Sequence, residues 1–322
     1  MIFNEPTSSG TGGPGVRVSS AVNDKGGLVR SRWFWGGLAA LLVALGIGWT
    51  YFDRSRARIP GFMWWRATSS AAHGGQTVDV GAGGSVHLYF ETYGAGEPLL
   101  LIHGGFSTIE TMHNQITAFA GQRFVIAADS RGHGRSSSIE GGLHYADMAD
   151  DMVALLDHLE VERADVFGWS DGGIIALDLA MRFPDRVGKI AVFGTNYHHD
   201  GLIDSEVNPL DEGPDSEGMA PMRLLFESVA PDPARWPVFF EKTITMWTTE
   251  PEYTEAGLGT IRAPTLVMAG EHDMIEPDHL RLLVDAIASA RLEILPGDNH
   301  FAPMQNADAV NELLMDFFAE GG

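Results

Sequence analysis

A serine, an aspartate and a histidine, each set just after a short apolar run, are the groups in this chain best suited to covalent chemistry. Ser170 stands in Gly168-Trp169-Ser170-Asp171-Gly172-Gly173, where an apolar run meets glycines and then helical spacing. That pattern reads as strand, sharp turn, helix, with the hydroxyl pushed out at the apex and glycines on either side because the turn is cramped. A serine hydroxyl is a poor nucleophile until a base takes its proton, and an imidazole serves as that base when a carboxylate holds its tautomer and stabilises its charged form. Asp273, in Gly270-Glu271-His272-Asp273, and His300, in Gly297-Asp298-Asn299-His300, supply these roles in the order Ser, Asp, His. Glu271 is the alternative acid, and Asp298 reads as a turn residue. Acyl transfer also needs two backbone N–H groups aimed at the developing oxyanion. The N–H of Asp171 is one; the other comes from Gly105 or Phe106 in His103-Gly104-Gly105-Phe106, with Gly105 preferred because its bare backbone can approach substrate. Trp169, Asp171 and Phe106 are the expected substrate contacts. The Asp171 carboxylate suits the first turn of a helix, and its sharper role would be to attract an amine on the substrate.

The elements that must position these groups follow from hydrophobic patterning. Val86 to Tyr93 alternates like a half-buried strand, whereas Pro98 to Ile102 is apolar on both faces, as in the centre of a parallel sheet. Further apolar runs at Phe124 to Ala127, Ala164 to Phe167, Ile190 to Phe193, Thr265 to Ala269 and Leu292 to Leu295 read as strands. Helical faces lie between or after them: Met148, Met152, Leu155, Leu156 and Leu159 on one, and Val310, Leu313, Leu314, Phe317 and Phe318 on another. Strands alternating with helices predict an α/β fold, a mostly parallel sheet flanked by helices, with sites at the carboxyl ends of the strands. Residues 196 to 260 interrupt the rhythm with prolines, the aromatics Trp236, Phe239, Phe240 and Trp247, and 13 acidic against 3 basic residues. Their length predicts a helical insertion lying over the sheet as a cap.

The first 75 residues have a different character. Residues 1 to 32 are Gly-, Ser- and Thr-rich and read as a disordered tail. Trp33 to Phe52 is a run of 20 uncharged residues, enough at ~1.5 Å per residue to cross a hydrocarbon layer of ~30 Å. With aromatics at both ends it predicts a transmembrane helix, and no small-residue cleavage site follows it. Residues 53 to 75 form a juxtamembrane linker in which Trp64, Trp65 and Arg66 suit the membrane interface as well as packing on the domain. Four basic residues on each side leave orientation unbiased by charge; the bulk of the chain beyond a single anchor points to an extracytoplasmic catalytic domain. Residues 1 to 75 carry a net charge of +5 and the remainder −27, which argues against nucleic acid as a partner. The chain has no cysteine, excluding disulfides and thiol catalysis. His198-His199-Asp200 holds metal-ligand types, but adjacent histidines rarely chelate one ion, and no metal is expected.

Taken together, the elbow at Ser170, the His103-Gly104 stretch, the run from Asp129 to Ser136, the acid loop and the late His300 resemble the α/β-hydrolase fold superfamily over roughly residues 76 to 322. The resemblance implies that residues 196 to 260 are the family's cap, and that Ser170, Asp273 and His300 cleave a small ester through an acyl-enzyme without metal or organic cofactor. Gly-Trp-Ser-Asp-Gly-Gly resembles the valacyclovir hydrolase-like branch, and the Asp171 carboxylate beside the oxyanion extends the expectation to an amino-acid ester. Serine at the elbow departs from the haloalkane dehalogenase and epoxide hydrolase branches, which use aspartate there. Carbon-carbon bond hydrolases and cofactor-free perhydrolases share the fold and triad and are the enzymatic alternatives; a non-catalytic ligand-binding protein of the same fold is the other.

Overall fold

A computed structural model of the chain describes residue 66 and residues 75–137, 140–203 and 213–320. The tail, the apolar run Trp33 to Phe52 and most of the linker lie outside the described residues. Among the described residues, no helix is long and apolar enough to cross a membrane.

Eight strands form one sheet: β1 (Gln76–Val80), β2 (Val86–Tyr93), β3 (Glu97–Ile102), β4 (Arg123–Ala128), β5 (Ala164–Trp169), β6 (Val187–Phe193), β7 (Thr265–His272) and β8 (Ala290–Asn299). Their spatial order is β1-β2-β4-β3-β5-β6-β7-β8. β1 pairs antiparallel with β2 and β2 antiparallel with β4; every other pairing is parallel. The runs that are apolar on both faces lie in the middle of the sheet because each face is covered. Leu100, Ile102, Ile126, Val166, Ile190 and Val192 belong to one core, with α2 (Tyr145–His158) and α3 (Asp171–Arg182) on that side. Leu99, Leu101, Val125, Phe167, Ala191 and Phe193 belong to the other, which includes side chains of α1 (His113–Phe119) and α9 (Ala307–Ala319). The period-2 alternation along each strand thus builds two cores back to back.

Between β6 and β7 the chain forms α4 (Ala220–Val229), α5 (Trp236–Thr249) and the short α6 (Glu255–Leu258). Outside the named strands, the described residues of this segment make two isolated bridges, His198 to Glu252 and Leu202 to Ile275. Phe226, Trp236, Phe239 and Phe240 are buried; Trp236, Phe239 and Phe240 pack around Phe106 of the loop after β3, and Phe226 packs on Trp236 and Phe239. After β7 come α7 (Pro277–Ala286), β8, α8 (Ala302–Gln305) and α9.

Two details depart from the patterning. β1 is an edge strand with only Val78 and Val80 buried, too short an alternation to stand out. The last two strands run past their apolar cores, because β7 and β8 pair again at His272 and Asn299 after an irregularity. Glu271, His272, Asp298 and Asn299 are therefore strand residues, and Asp273 and His300 sit at the strand ends.

Candidate active site

The turn between β5 and α3 is built by close approach. Ser170 has φ 56° and ψ −121°, a sparsely populated conformation that costs about 1–3 kcal/mol and persists only where its surroundings over-determine it. They do so here: Ser170 N–H donates to the Phe193 carbonyl at 2.8 Å, and Gly173 N–H donates to Ser170 O at 2.8 Å. A Cβ on Gly168 would lie 2.1 Å from Gly172 O, and one on Gly172 2.1 Å from Ile102 O. Glycine at the second position thus lets α3 approach β3 as well as its own strand.

Asp273 and His300 meet across the β7–β8 end. The His300 Nδ1 to Asp273 Oδ1 distance is 2.8 Å, and both residues are buried. The carboxylate is held in turn by the Met274 N–H at 2.8 Å on Oδ1 and the Gly270 N–H on Oδ2. An ionised carboxylate accepts only, so Nδ1 of the neutral imidazole carries the hydrogen and Nε2 is left free as a base. Glu271 is exposed and accepts from the Gly297 N–H at 2.8 Å, bracing the end of β8 ahead of His300. Asp298 accepts from Asn306 Nδ2 at 2.8 Å. Neither contact is with His300. The His300 carbonyl accepts from Trp169 Nε1 at 2.9 Å, so the residue before the serine orients the histidine's backbone.

Ser170, His300, Gly104, Gly105, Phe106, Trp169 and Asp171 line one cavity of about 310 Å³. A Cβ on Gly105 would fall 2.4 Å from the Trp247 ring and 2.6 Å from Asp171 Oδ2, so the loop passes the elbow only without a side chain. Phe106 has φ 53°, which turns the chain there. His103 braces the loop from behind: Ser130 N–H donates to its Nε2 at 3.0 Å, and its Nδ1–H donates to the Gly104 carbonyl at 2.8 Å. Burial pushes its pKa down to about 4, so it is neutral near pH 7 and keeps this donor–acceptor pattern.

The cavity also contains groups that sequence patterning passed over. Tyr145, at the start of α2, donates from its hydroxyl to Asp171 Oδ1 at 3.0 Å, and Trp247 of α5 donates from Nε1 to Asp171 Oδ2 at 2.9 Å. Burial pushes the Asp171 carboxyl up to about 6, against these hydrogen bonds, which favour its charged form. Glu250, at the end of α5, is a second carboxylate in the lining and accepts from the Tyr145 N–H at 3.1 Å. Asp171 and Glu250 are the acids of this lining, and His300 is its only basic side chain among the described residues. Residues 204–212, outside the described residues, contain neither Lys nor Arg.

His198, His199 and Asp200 lie elsewhere, with one ligand atom each within 4.8 Å of one another. His198 Nδ1 accepts from the Asp200 N–H, and His199 Nδ1 pairs with the Asp200 carboxylate at 3.0 Å. These contacts satisfy the groups locally.

The sheet order, the elbow and the late histidine are those of the α/β-hydrolase fold. Residues 99–313 match the profile of the Alpha/beta hydrolase family, and the chain belongs to that family; it is a hydrolase of this class. RutD of Azorhizobium caulinodans, whose carbamate hydrolase name is provisional, is 32% identical over 74% of this chain and 97% of its own length. The 2-hydroxymuconate semialdehyde hydrolase of Pseudomonas sp. (strain CF600) is 32% identical over 70% of this chain and 88% of its own. Among solved structures, Est816, described as an N-acyl homoserine lactone degrading enzyme, is 30% identical, with a TM-score of 0.60 over 74% of this chain and 99% of its own.

Proposed function

We propose that the chain is a serine hydrolase that cleaves small esters through an acyl-enzyme. The observation that carries this reading is the shared cavity of Ser170, held on its turn, and His300, held by Asp273. Ser170 Oγ attacks the ester carbonyl while His300 Nε2 takes its proton. The oxyanion is met by the N–H groups of Asp171 and of Gly105 or Phe106. His300 returns the proton to the departing alcohol, and water deacylates the serine by the reverse relay. Asp273 keeps the imidazole in its base tautomer and stabilises the imidazolium.

The lining favours substrates with a cation near the carbonyl. Asp171 is a buried carboxylate held only by neutral donors, with Glu250 nearby in the same wall. A negative charge beside a developing oxyanion hinders turnover of neutral esters unless the substrate brings a compensating charge. An α-amino ester does so. Carbon-carbon bond hydrolysis is the second reading, favoured by the likeness to the semialdehyde hydrolase. A relative is also named for a dienoate, 2-hydroxy-6-oxo-6-phenylhexa-2,4-dienoate; such a carboxylate would meet two acids here and no Lys or Arg among the described lining.

The uncharged run Trp33 to Phe52 supports a single-pass anchor, with the catalytic domain placed extracytoplasmically because the bulk of the chain follows it. Turnover of an ester panel by the full chain and by Ser170→Ala tests the catalytic reading. Ester hydrolysis that falls by about 10⁶ in the variant is expected where the triad acts as a unit. Parent-like hydrolysis by Ser170→Ala overturns it.

A further inference from the structure

Arg66 belongs by sequence to the linker ahead of the first strand, yet its guanidinium is bound within the hydrolase domain. Nη1 donates to both oxygens of Glu91, at 2.7 and 3.0 Å, while Nε at 3.0 Å and Nη2 donate to Glu110 Oε1. Both carboxylates are 1% exposed. Glu91 otherwise accepts from the hydroxyls of Tyr89 and Tyr93. Glu110 also accepts from Thr108 Oγ1 at 2.6 Å and from the Arg135 guanidinium. Arg135 pairs in turn with Asp129, whose Oδ1 accepts the Ile109 N–H at 2.8 Å. Three buried carboxylates therefore share two guanidiniums, and one of the two comes from the linker.

The far end of this network is the loop after β3. Thr108, Ile109 and Glu110 follow Gly104-Gly105-Phe106 after the single residue Ser107, and Thr111 N–H closes a turn onto the Thr108 carbonyl at 3.0 Å. Glu91 is fixed in β2, paired opposite Ala127. A bridge from Glu91 to Glu110 thus references the loop to the sheet. Removing one partner from a buried charge network is costly, because the carboxylate left behind must take up a proton or move towards water.

We infer that Arg66 is a positioning residue for the oxyanion loop: by joining Glu91 to Glu110, it couples the linker to the backbone N–H groups of Gly105 and Phe106. The inference rests on the esterase reading above and adds a residue from ahead of the first strand. Burial pushes Glu110 up, and the Arg135 and Arg66 guanidiniums outweigh it and hold its carboxyl well below the usual range. Burial and the nearby Glu110 push Asp129 up. Loss of Arg66 removes a cation that favours the ionised form of Glu110, so Glu110 takes up its proton at higher pH.

The test is made in the full chain with Arg66→Met and Arg66→Lys, and with Arg281→Met as a control, since Arg281 pairs with Asp278 on the exposed face of α7. Turnover of a neutral ester and the rate of phosphonylation of Ser170 by a small fluorophosphonate are followed across pH, well below each variant's melting temperature. Arg66→Met is expected to lose about tenfold in kcat and in phosphonylation rate with KM changed little, a fraction of the loss of a whole oxyanion donor. Its acid limb moves to higher pH, Arg66→Lys recovers part of the rate, and the control matches the parent. If Arg66→Met does not fold, Arg66→Lys with and without added guanidinium ion carries the test, with a lowered rate raised by the ion as the expected result. Parent-like kcat, phosphonylation and acid limb in a folded Arg66→Met, or, where that variant does not fold, in Arg66→Lys, overturn the inference alone. Failure of the parent to label at Ser170 overturns the esterase reading with it.

Discussion

If Asp171 selects for a substrate cation, exchanging its carboxylate for an amide must remove a preference whose size follows from its burial. Its carboxyl is pushed from the ordinary 3.8 to about 6 by burial, and that difference corresponds to about 3 kcal/mol of unrelieved cost in the charged form. An ammonium seated beside it relieves a cost of that order, so preference for an α-amino ester over its N-acetylated twin is expected to be on the order of 100-fold in kcat/KM. A cation in partial contact gives about tenfold. The pH dependence has a definite sign. Asp171 is ionised above about 6 and neutral below it, so the preference is present at pH 7, where an α-amino group of ordinary pKa about 7.7 remains mainly protonated. At pH 5 about a tenth of Asp171 is ionised, and the ratio falls accordingly. Protonation of groups that do not face the substrate amine acts on both esters and cancels in the ratio. Asp171→Asn keeps the backbone N–H, so its ratio falls towards one while the N-acetylated ester is turned over at least as fast as by the parent. Equal kcat/KM for the two esters in the parent at pH 7, or an undiminished preference in Asp171→Asn, refutes the reasoning.

Asp273→Asn is expected to lower kcat by about 10⁴ through the wrong imidazole tautomer, whereas Glu271→Gln, which touches only the Gly297 amide, stays within about tenfold; steady-state kinetics on one ester decides between the two carboxylates. Gly172→Ala places a methyl 2.1 Å from the Ile102 carbonyl and is expected to cost about 2 kcal/mol or more. Thermal denaturation should show that as a melting temperature lower by about 4–8 °C, and an unchanged value contradicts it. The full chain is expected to stay in the membrane pellet through a carbonate wash; release by the wash contradicts the anchor. A chain beginning at Gln76 is expected to be soluble but to lose kcat as Arg66→Met does, because it lacks the same guanidinium.

The turn at Ser170 was legible because its physics is local: an apolar strand, a serine and glycines where neighbouring backbone leaves no room for Cβ. Asp273 and His300 were legible by another route, as polar residues following apolar runs that only buried strands explain. What could not be read came from contacts between distant segments. Trp247 lies next to the buried face of α5, and nothing in its helical spacing says that its indole reaches Asp171. Tyr145 opens α2 as an apparently ordinary core aromatic. Glu91 falls on the polar phase of the β2 alternation and would be taken for a solvent residue; it is buried because Arg66 and the loop after β3 lie over it. The edge strand β1 escaped because only two of its side chains enter the core.

The central claim is that Ser170 is a nucleophile activated by His300. Its most direct measurement is intact-protein and peptide mass spectrometry of the full chain after reaction with a small fluorophosphonate. One adduct per chain, on the peptide containing Ser170, absent in Ser170→Ala and formed at least about 10³ times more slowly in His300→Ala, is the predicted result. No adduct on a folded, ester-cleaving parent, or equal labelling of Ser170 when His300 is replaced, would contradict the account.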